Sequence, residues 1–484
     1  MPKSSPTILW FRQDLRLRDN PALSAALEQG AVLAVFVLDD KNAGERRHGA
    51  ASRCWLHHSL KTLDSSLGGK LWVLEGDATE LIPQFAAEQG ATAVHWNRCY
   101  EPWRITRDGR IKQALATLGI NAESHSGTLL WEPWQVLKSD GTPYKVFTPF
   151  YRHALKTQPA AVVAPATVID HRASDFLACK QDRNKIDSLA LLPVSIWHKA
   201  MLEDWTPGEA GAQMRLEEFL EGGLTDYREG RDFPARRSVS RLSPHLHFGE
   251  ISVKQVAYAA TLSAQQGHES QSEHFLRELA WREFSYSLLY HFPAVCEKNL
   301  KQEFDHFPWR DDPELRIAWQ RGMTGYPIVD AGMRELYATG TMHNRVRMIT
   351  ASFLVKNLMQ HWRHGEQWFW DCLVDADLAN NSCSWQWVAG SGADAAPYFR
   401  IFNPVTQSQK FDKDGEYIRR FIPEIAALPS KFLHDPSSAP ETVLQQAGIS
   451  LGVDYPRAIV DLKQSRERAL SAYHAMRNTE DWAS

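Results

Sequence analysis

The sequence predicts two folded parts of different class: an N-terminal α/β unit on a parallel sheet over residues 1–130, and an all-helical unit over 201–484, joined by a long connector at 131–200. Three observations carry this. The first 130 residues alternate short apolar runs with amphipathic stretches, the rhythm of βα units. From 131 to 200 the periodicity weakens and prolines recur. Beyond 201, apolar residues fall at three- and four-residue spacing almost to the end. At 484 residues the chain is also too long for one ordinary core, and two units are expected.

Strands are expected at Thr7–Phe11, Ala31–Leu38, Lys70–Leu74 and Thr92–Trp96. Asn20 and Pro21 offer an N-cap and an N1 proline for a helix that Gly30 ends, and Gly68 and Gly69 close the next helical stretch. Ligands of such sheets sit outside the carboxyl ends of the strands. There is no GxGxxG and no GxxxxGK[ST], so a phosphate-cradling loop of either kind has no support. Pro159, Pro165, Pro193 and the Trp205–Gly208 turn mark the connector as a surface segment. Helices are expected at 213–223, 252–264, 272–290, 327–339, 343–362 and 365–378. The sequence has no internal repeat and no low-complexity segment.

Hydrophobic residues make up 43% and charged residues 23%, a globular composition. No run is long enough to cross a bilayer, and the N-terminus shows no signal-peptide apolar core, so a cytoplasmic protein is expected. The six cysteines, at 54, 99, 179, 296, 372 and 383, are scattered singly. That argues against a disulfide framework and against a zinc site, and no metal is expected. A net charge of −4 does not favour nucleic acid, so any such contact needs a local basic surface. Asp226–Arg241 supplies a modest one, with five arginines against three acids, although charge runs are usually solvated faces. Most of the eighteen tryptophans should be core-filling rings.

Two helical stretches carry chemistry-capable side chains at telling intervals. Glu278, Trp281 and Arg282 stand at i, i+3 and i+4, so a carboxylate, a flat ring and a guanidinium share one face. Asn344, Arg347 and Met348 repeat the spacing. Such mixed faces suit a site, and an ion-paired helix surface would give the same pattern.

With these two segments, the Trp-Phe-Arg-Gln-Asp-Leu-Arg run near the start and SGADAAPYFRIFNP at Ser391–Pro404, the sequence resembles the DNA photolyase and cryptochrome family. Matching stretches also include Arg241–Gly249, Thr324–Met333 and Phe411–Leu428, and run from about residue 7 to within about 20 residues of the end. Within the family the likeness is nearest to bacterial class I cyclobutane pyrimidine dimer photolyases, and Ala439–Gly452 is also similar to plant cryptochromes.

The resemblance implies an α/β antenna domain and a helical domain holding FAD. Its flavin-binding pattern falls on Tyr227, Ser240, Arg241, Leu242, Ser243, Arg282, Arg347, Asp375, Asp377 and Asn381. At Asn381 the family places an amide beside the flavin N5, where plant cryptochromes carry aspartate. The implied activity is that of a deoxyribodipyrimidine photo-lyase, light-driven repair of cyclobutane dimers in ultraviolet-damaged DNA by a monomer. A dimer must leave the base stack to reach a buried flavin. Trp281 and Trp387 would form walls for it, Glu278 and Asn344 would bond its base edges, and Met348 would give a polarizable contact. Arg231, Arg345, Arg400 and Gln407 would contact phosphates. Trp385, Trp362 and Trp309 match the family's relay from flavin to surface.

Departures from the family pattern fall at Thr341, Phe275, Val239 and Ser382-Cys383-Ser384, around the flavin. A (6-4) photolyase would carry histidines at the Asn344 and Met348 positions, so cyclobutane dimers are expected. For the antenna, Glu101 and Cys296 favour methenyltetrahydrofolate, but Glu297 stands where a lysine usually follows the cysteine, leaving a deazaflavin, a second flavin or no chromophore as alternatives. The rival functions are a cryptochrome-type photoreceptor, against which Asn381, Trp281 and the short C-terminal region count, and an electron-transfer flavoprotein with no DNA role.

Overall fold

A computed structural model describes residues 5–158, 175–182 and 184–480. Pro159 and Pro165 lie outside them. Contacts divide the chain into two compact units, one of Met1–Thr225, Ser240–Pro293 and Val374–Ala379, the other of Asp226–Val239, Ala294–Leu373 and Asn380–Ser484. These bounds differ from the division expected from periodicity because connector rings are core: Phe147 and Phe150 are buried and pack on Phe284 of the long Glu269–His291 helix.

The first unit is built on a five-stranded parallel sheet in the order β3-β2-β1-β4-β5, with β1 Thr7–Phe11, β2 Val32–Leu38, β3 Trp72–Glu75, β4 Ala93–Asn97 and β5 Asn121–His125. Both faces are covered. Leu9, Phe11 and Phe36 pack with Leu23 and Trp55 on one side, while Ile8, Trp10, Val35 and Trp96 pack with Ile82, Phe85 and Ile111 on the other. Burial on both faces makes the three inner strands predominantly apolar runs that read directly from sequence, and the edge strand β3 reads through Trp72, Val73 and Leu74. The fifth, Asn-Ala-Glu-Ser-His, is an edge strand with no apolar run, and the sequence reading missed it. Asn20 caps the Pro21–Gln29 helix through its side chain, as expected.

In the second unit, the expected helix over 343–362 is interrupted. An α-helix over Asn344–Ser352 passes into a π-turn at Phe353–Asn357, Met359 takes a left-handed φ of 53°, and a new helix runs Trp362–Cys372. The expected 365–378 helix likewise stops at Cys372, where Leu373 is extended, and Leu378–Ala389 begins another. The reason is local. His343 and His361 each cap a helix through a ring nitrogen, accepting from Arg345 N and Arg363 N at 3.2 Å. Histidine is a weak start signal in sequence, so apolar spacing alone ran through the breaks.

Candidate functional site

In the first unit, Ser240, Arg241, Leu242 and Ser243 form a tight turn into the short Ser243–His247 helix. Arg241 is left-handed at φ 54°, a conformation that costs a non-glycine residue about 1–2 kcal/mol. Its guanidinium lies 4.2 Å over Trp205. A strained turn rich in small hydroxyls at a helix start suits an anionic group.

Beneath it lies a buried polar network. Asp377 accepts from Tyr286 Oη and stands 3.7 Å from His247 Nδ1. Burial pushes the Asp377 carboxyl up, but His247 and Arg282 outweigh it and hold the group below the usual carboxylate range. Asp375 is buried beside it in sequence. Arg282 donates to Glu283 Oε1 at 2.8 Å, and Glu283 also accepts from Leu130 N at 2.6 Å and Trp131 N at 3.2 Å. Trp281 is half-buried, one face stacked on Phe147 at 3.9 Å and 7°, and Glu278 one turn earlier is also half-buried.

A separate pocket of this unit opens where β1 and β2 end, lined by Trp10, Arg12, Asp39, Arg46, His48, Trp103 and Arg107 among others. This is the crevice outside the strand carboxyl ends that such sheets offer. Glu101 is buried and pairs with Arg104 at 3.1 Å.

In the second unit, Asn381 is 8% exposed, and its amide nitrogen donates to the Glu366 carbonyl at 2.9 Å and the Glu366 carboxylate at 3.3 Å. The amide oxygen is therefore the group Asn381 can offer a ligand. On the same helix Trp385 is 2% exposed and Trp387 half-buried, the division expected of two rings two residues apart. Trp385 packs edge-on to Phe369 at 5.0 Å. Trp362 is fully buried with Nε1 bonded to Asn299 at 2.9 Å, and His361 bridges it to half-exposed Trp309, with ring centroids 5.5 and 5.2 Å apart. His361 and Gly365 were not singled out in sequence. A Cβ on Gly365 would lie 2.0 Å from the Trp385 ring, so this glycine is what lets the ring lie against the Trp362 helix. Gly365→Ala is expected to cost about 1–3 kcal/mol by overpacking and to slow photoreduction, read by thermal melting and by flavin absorbance under blue light.

Tyr227 is buried beneath the Arg231 guanidinium, 5.4 Å from its ring. Arg347 Nε donates to Met342 O at 2.7 Å. Asn344 and Arg400 are exposed, Met348 and Gln407 half-buried, and Arg345 is paired with Asp232 at 2.6 Å. Cys296 is buried.

Lys356, on the π-turn, is 1% exposed and donates from Nζ to the Arg400 carbonyl at 3.0 Å. Burial, then repulsion from Arg400, push its ammonium down to about 7. The unfolded chain keeps this proton up to its ordinary 10.5, so between 7 and 10.5 it binds more protons than the folded chain. Stability gained from this group therefore rises with pH across that window and is lost on acidification through 7. Lys356→Met is expected to flatten that rise, measured by melting temperature at pH 6, 8 and 9.

Within the first unit, the hydroxyl-rich segment at Ser240–Ser243 and the buried Asp377–Tyr286 and Arg282–Glu283 pairs are donors and acceptors of the kind FAD requires, and within the second Asn381 is a buried amide. The family described as "FAD binding domain of DNA photolyase" matches residues 275–475, and "DNA photolyase" matches residues 7–167. A deoxyribodipyrimidine photo-lyase of Agrobacterium fabrum is 48% identical, covering 99% of both chains. Cryptochrome-2 of Arabidopsis thaliana is 38% identical, covering 99% of this chain and 80% of its own. The crystal structure of a bacterial class III photolyase from Agrobacterium tumefaciens superposes with a TM-score of 0.93 at 48% identity, covering 99% of each chain. The sequence likeness had pointed to class I; this neighbour carries the class III description. Among the described residues no helix is long and apolar enough to cross a membrane. The chain belongs to the DNA photolyase and cryptochrome family, and carries that family's FAD-binding domain.

Proposed function

We propose that this chain repairs cyclobutane pyrimidine dimers in DNA in blue light, acting on a dimer flipped out of the strand. The observation that carries this reading is Trp281. The ring is half-buried with one face held by Phe147 at 3.9 Å, so its orientation is fixed and its other face is the one it can offer as a wall to a flipped pyrimidine. Reduced FAD, when bound, supplies the excited electron that opens the cyclobutane ring and takes it back. The residues do the rest. Glu278 and Asn344 bond base edges, Met348 and Trp387 close the apolar contact, and Arg231, Arg400, Gln407 and Arg345 hold phosphates, Arg345 after exchanging its pairing with Asp232. Tyr227, Ser240–Ser243, Arg282, Arg347, Asp375 and Asp377 would hold the flavin, and Asn381, its nitrogen committed to Glu366, would offer it the amide oxygen. Trp385, Trp362 and Trp309 carry electrons inward.

A second chromophore belongs to the same reading. The arginine- and tryptophan-lined pocket at the strand ends suits a flat ring with an anionic tail. Glu101 and Cys296, which favour methenyltetrahydrofolate by family likeness, do not line this pocket, and that chromophore and a deazaflavin are distinguished by the absorption spectrum of the released pigment.

The test mixes photoreduced protein with an oligonucleotide bearing one thymine dimer, in light and in darkness. Light-dependent recovery of thymines supports repair. Reduced flavin with no dimer split would leave the photoreceptor reading, which 38% identity to a plant cryptochrome favours.

A further inference from the structure

The edge strand β5 poses a question that sheet formation does not answer. His95 on β4 pairs in register with Glu123, and His125 follows two residues on, so all three point to one face of the sheet. Leu9, in register with His95 from the other side, belongs to the apolar cluster with Ala22, Leu23 and Ala26. An imidazole with no exposed surface therefore sits at the border of that core, where an aliphatic residue would be cheaper.

What it faces is specific. His95 Nδ1 lies 3.1 Å from His125 Nε2 and 4.0 Å from Glu123 Oε2, and the ligand atoms of all three fall within 4.8 Å of one another. Ligand atoms about 2.0–2.1 Å from a tetrahedral ion are separated by about 3.3 Å, so the two nitrogens already stand at coordination spacing. Two nitrogens facing each other can share only one proton, whereas an ion between them takes both lone pairs. Asn121 Nδ2 donates to Glu123 Oε1 at 2.5 Å, holding the oxygen that faces away and leaving Oε2 toward the histidines. That is the outer support ligating carboxylates usually have. The Glu123 side chain is 40% exposed, which gives an ion a way in.

We infer that His95, Glu123 and His125 form a binding site for a zinc-class divalent cation that clamps the edge strand β5 to β4. Two imidazoles and one carboxylate select late first-row ions over magnesium or calcium, and three protein ligands leave a position for water. This departs from the expectation of no metal, which rested on cysteine spacing; a site assembled across two parallel strands leaves no linear motif. None of the three is among the proposed flavin- or lesion-binding residues, and loss of the site leaves the repair reading untouched.

The test uses the full chain with flavin bound, stripped of metal by a chelator, and titrates it with zinc chloride against a colorimetric competitor. One saturable equivalent is expected in the wild type, accompanied by a rise in melting temperature. His125→Ala and Glu123→Gln, both on the accessible strand, are each expected to weaken binding at least about tenfold and to lose that rise, with flavin absorbance reporting that the fold is kept. X-ray absorption of the zinc complex should show two imidazoles. No saturable binding at micromolar protein, or binding unchanged in the double variant, overturns the site, and the His95–His125 contact is then a hydrogen bond sharing one proton.

Discussion

Glu283→Ala is expected to lower the stability of the chain by about 3–5 kcal/mol. One fully buried carboxylate serves three donors there: the Arg282 guanidinium at 2.8 Å and the backbone N–H groups of Leu130 and Trp131. Removing it takes from a largely buried guanidinium its ion pair with Glu283 and leaves two amides to find other acceptors. Each loss carries a desolvation cost, and they share one cavity, so they do not simply add. At about 2–4 °C per kcal/mol the melting transition should fall by roughly 10 °C, measured by calorimetry. Glu283→Gln keeps an acceptor for the amides and should recover part of the loss. A transition within a degree of wild type in the alanine variant would remove Glu283 from the account of how residues near 130 are tied to the long helix.

The second large effect is on lesion recognition. Trp281→Ala should weaken binding of dimer-bearing DNA by about 1–3 kcal/mol, roughly 5- to 150-fold, as loss of one base–aromatic stack does. Undamaged DNA, held through phosphates, should bind nearly as before. The two affinities, measured by fluorescence anisotropy at one salt concentration, separate stacking from charge. Trp281→Phe keeps a ring against Phe147 and should lie between wild type and alanine. Equal losses on damaged and undamaged DNA would move Trp281 from the lesion to the general architecture.

What could be read in the sequence follows from what burial does to composition. The three inner strands are buried along their whole length because both faces are covered, and the edge strand β3 still carries Trp72, Val73 and Leu74, so these four stand out; β5 is an edge strand with no apolar run, and only the sheet itself reveals it. Asn20 and Pro21 announced their helix through ordinary capping chemistry. His343 and His361 did the same work with a residue that rarely signals it; the start after His343 was expected, and the break before His361 was missed. The proposed flavin and lesion residues rest on family likeness, because spacing along one helix does not distinguish a ligand-binding face from an ion-paired one. Glycine inside a helix was the one cue to Gly365, whose reason lies in the Trp385 ring packed on it. Nothing marked Lys356 as a buried ammonium, since its apolar surroundings are assembled by tertiary packing.

The Leu378–Ala389 helix has a further consequence for how members of this family can diverge. Trp385 and Trp387 are separated by about 3 Å along the axis and by about 200° around it, so one stiff rod shows a ring to each of two neighbourhoods. No loop lies between them to flex, and their spacing is as invariant as the helix itself. Under the proposed roles, a change on the outward side would alter what is recognised and leave the inward ring in place. Replacements on one face would then separate substrate from light response, and proteins named photo-lyase and cryptochrome both stand among the relatives of this chain.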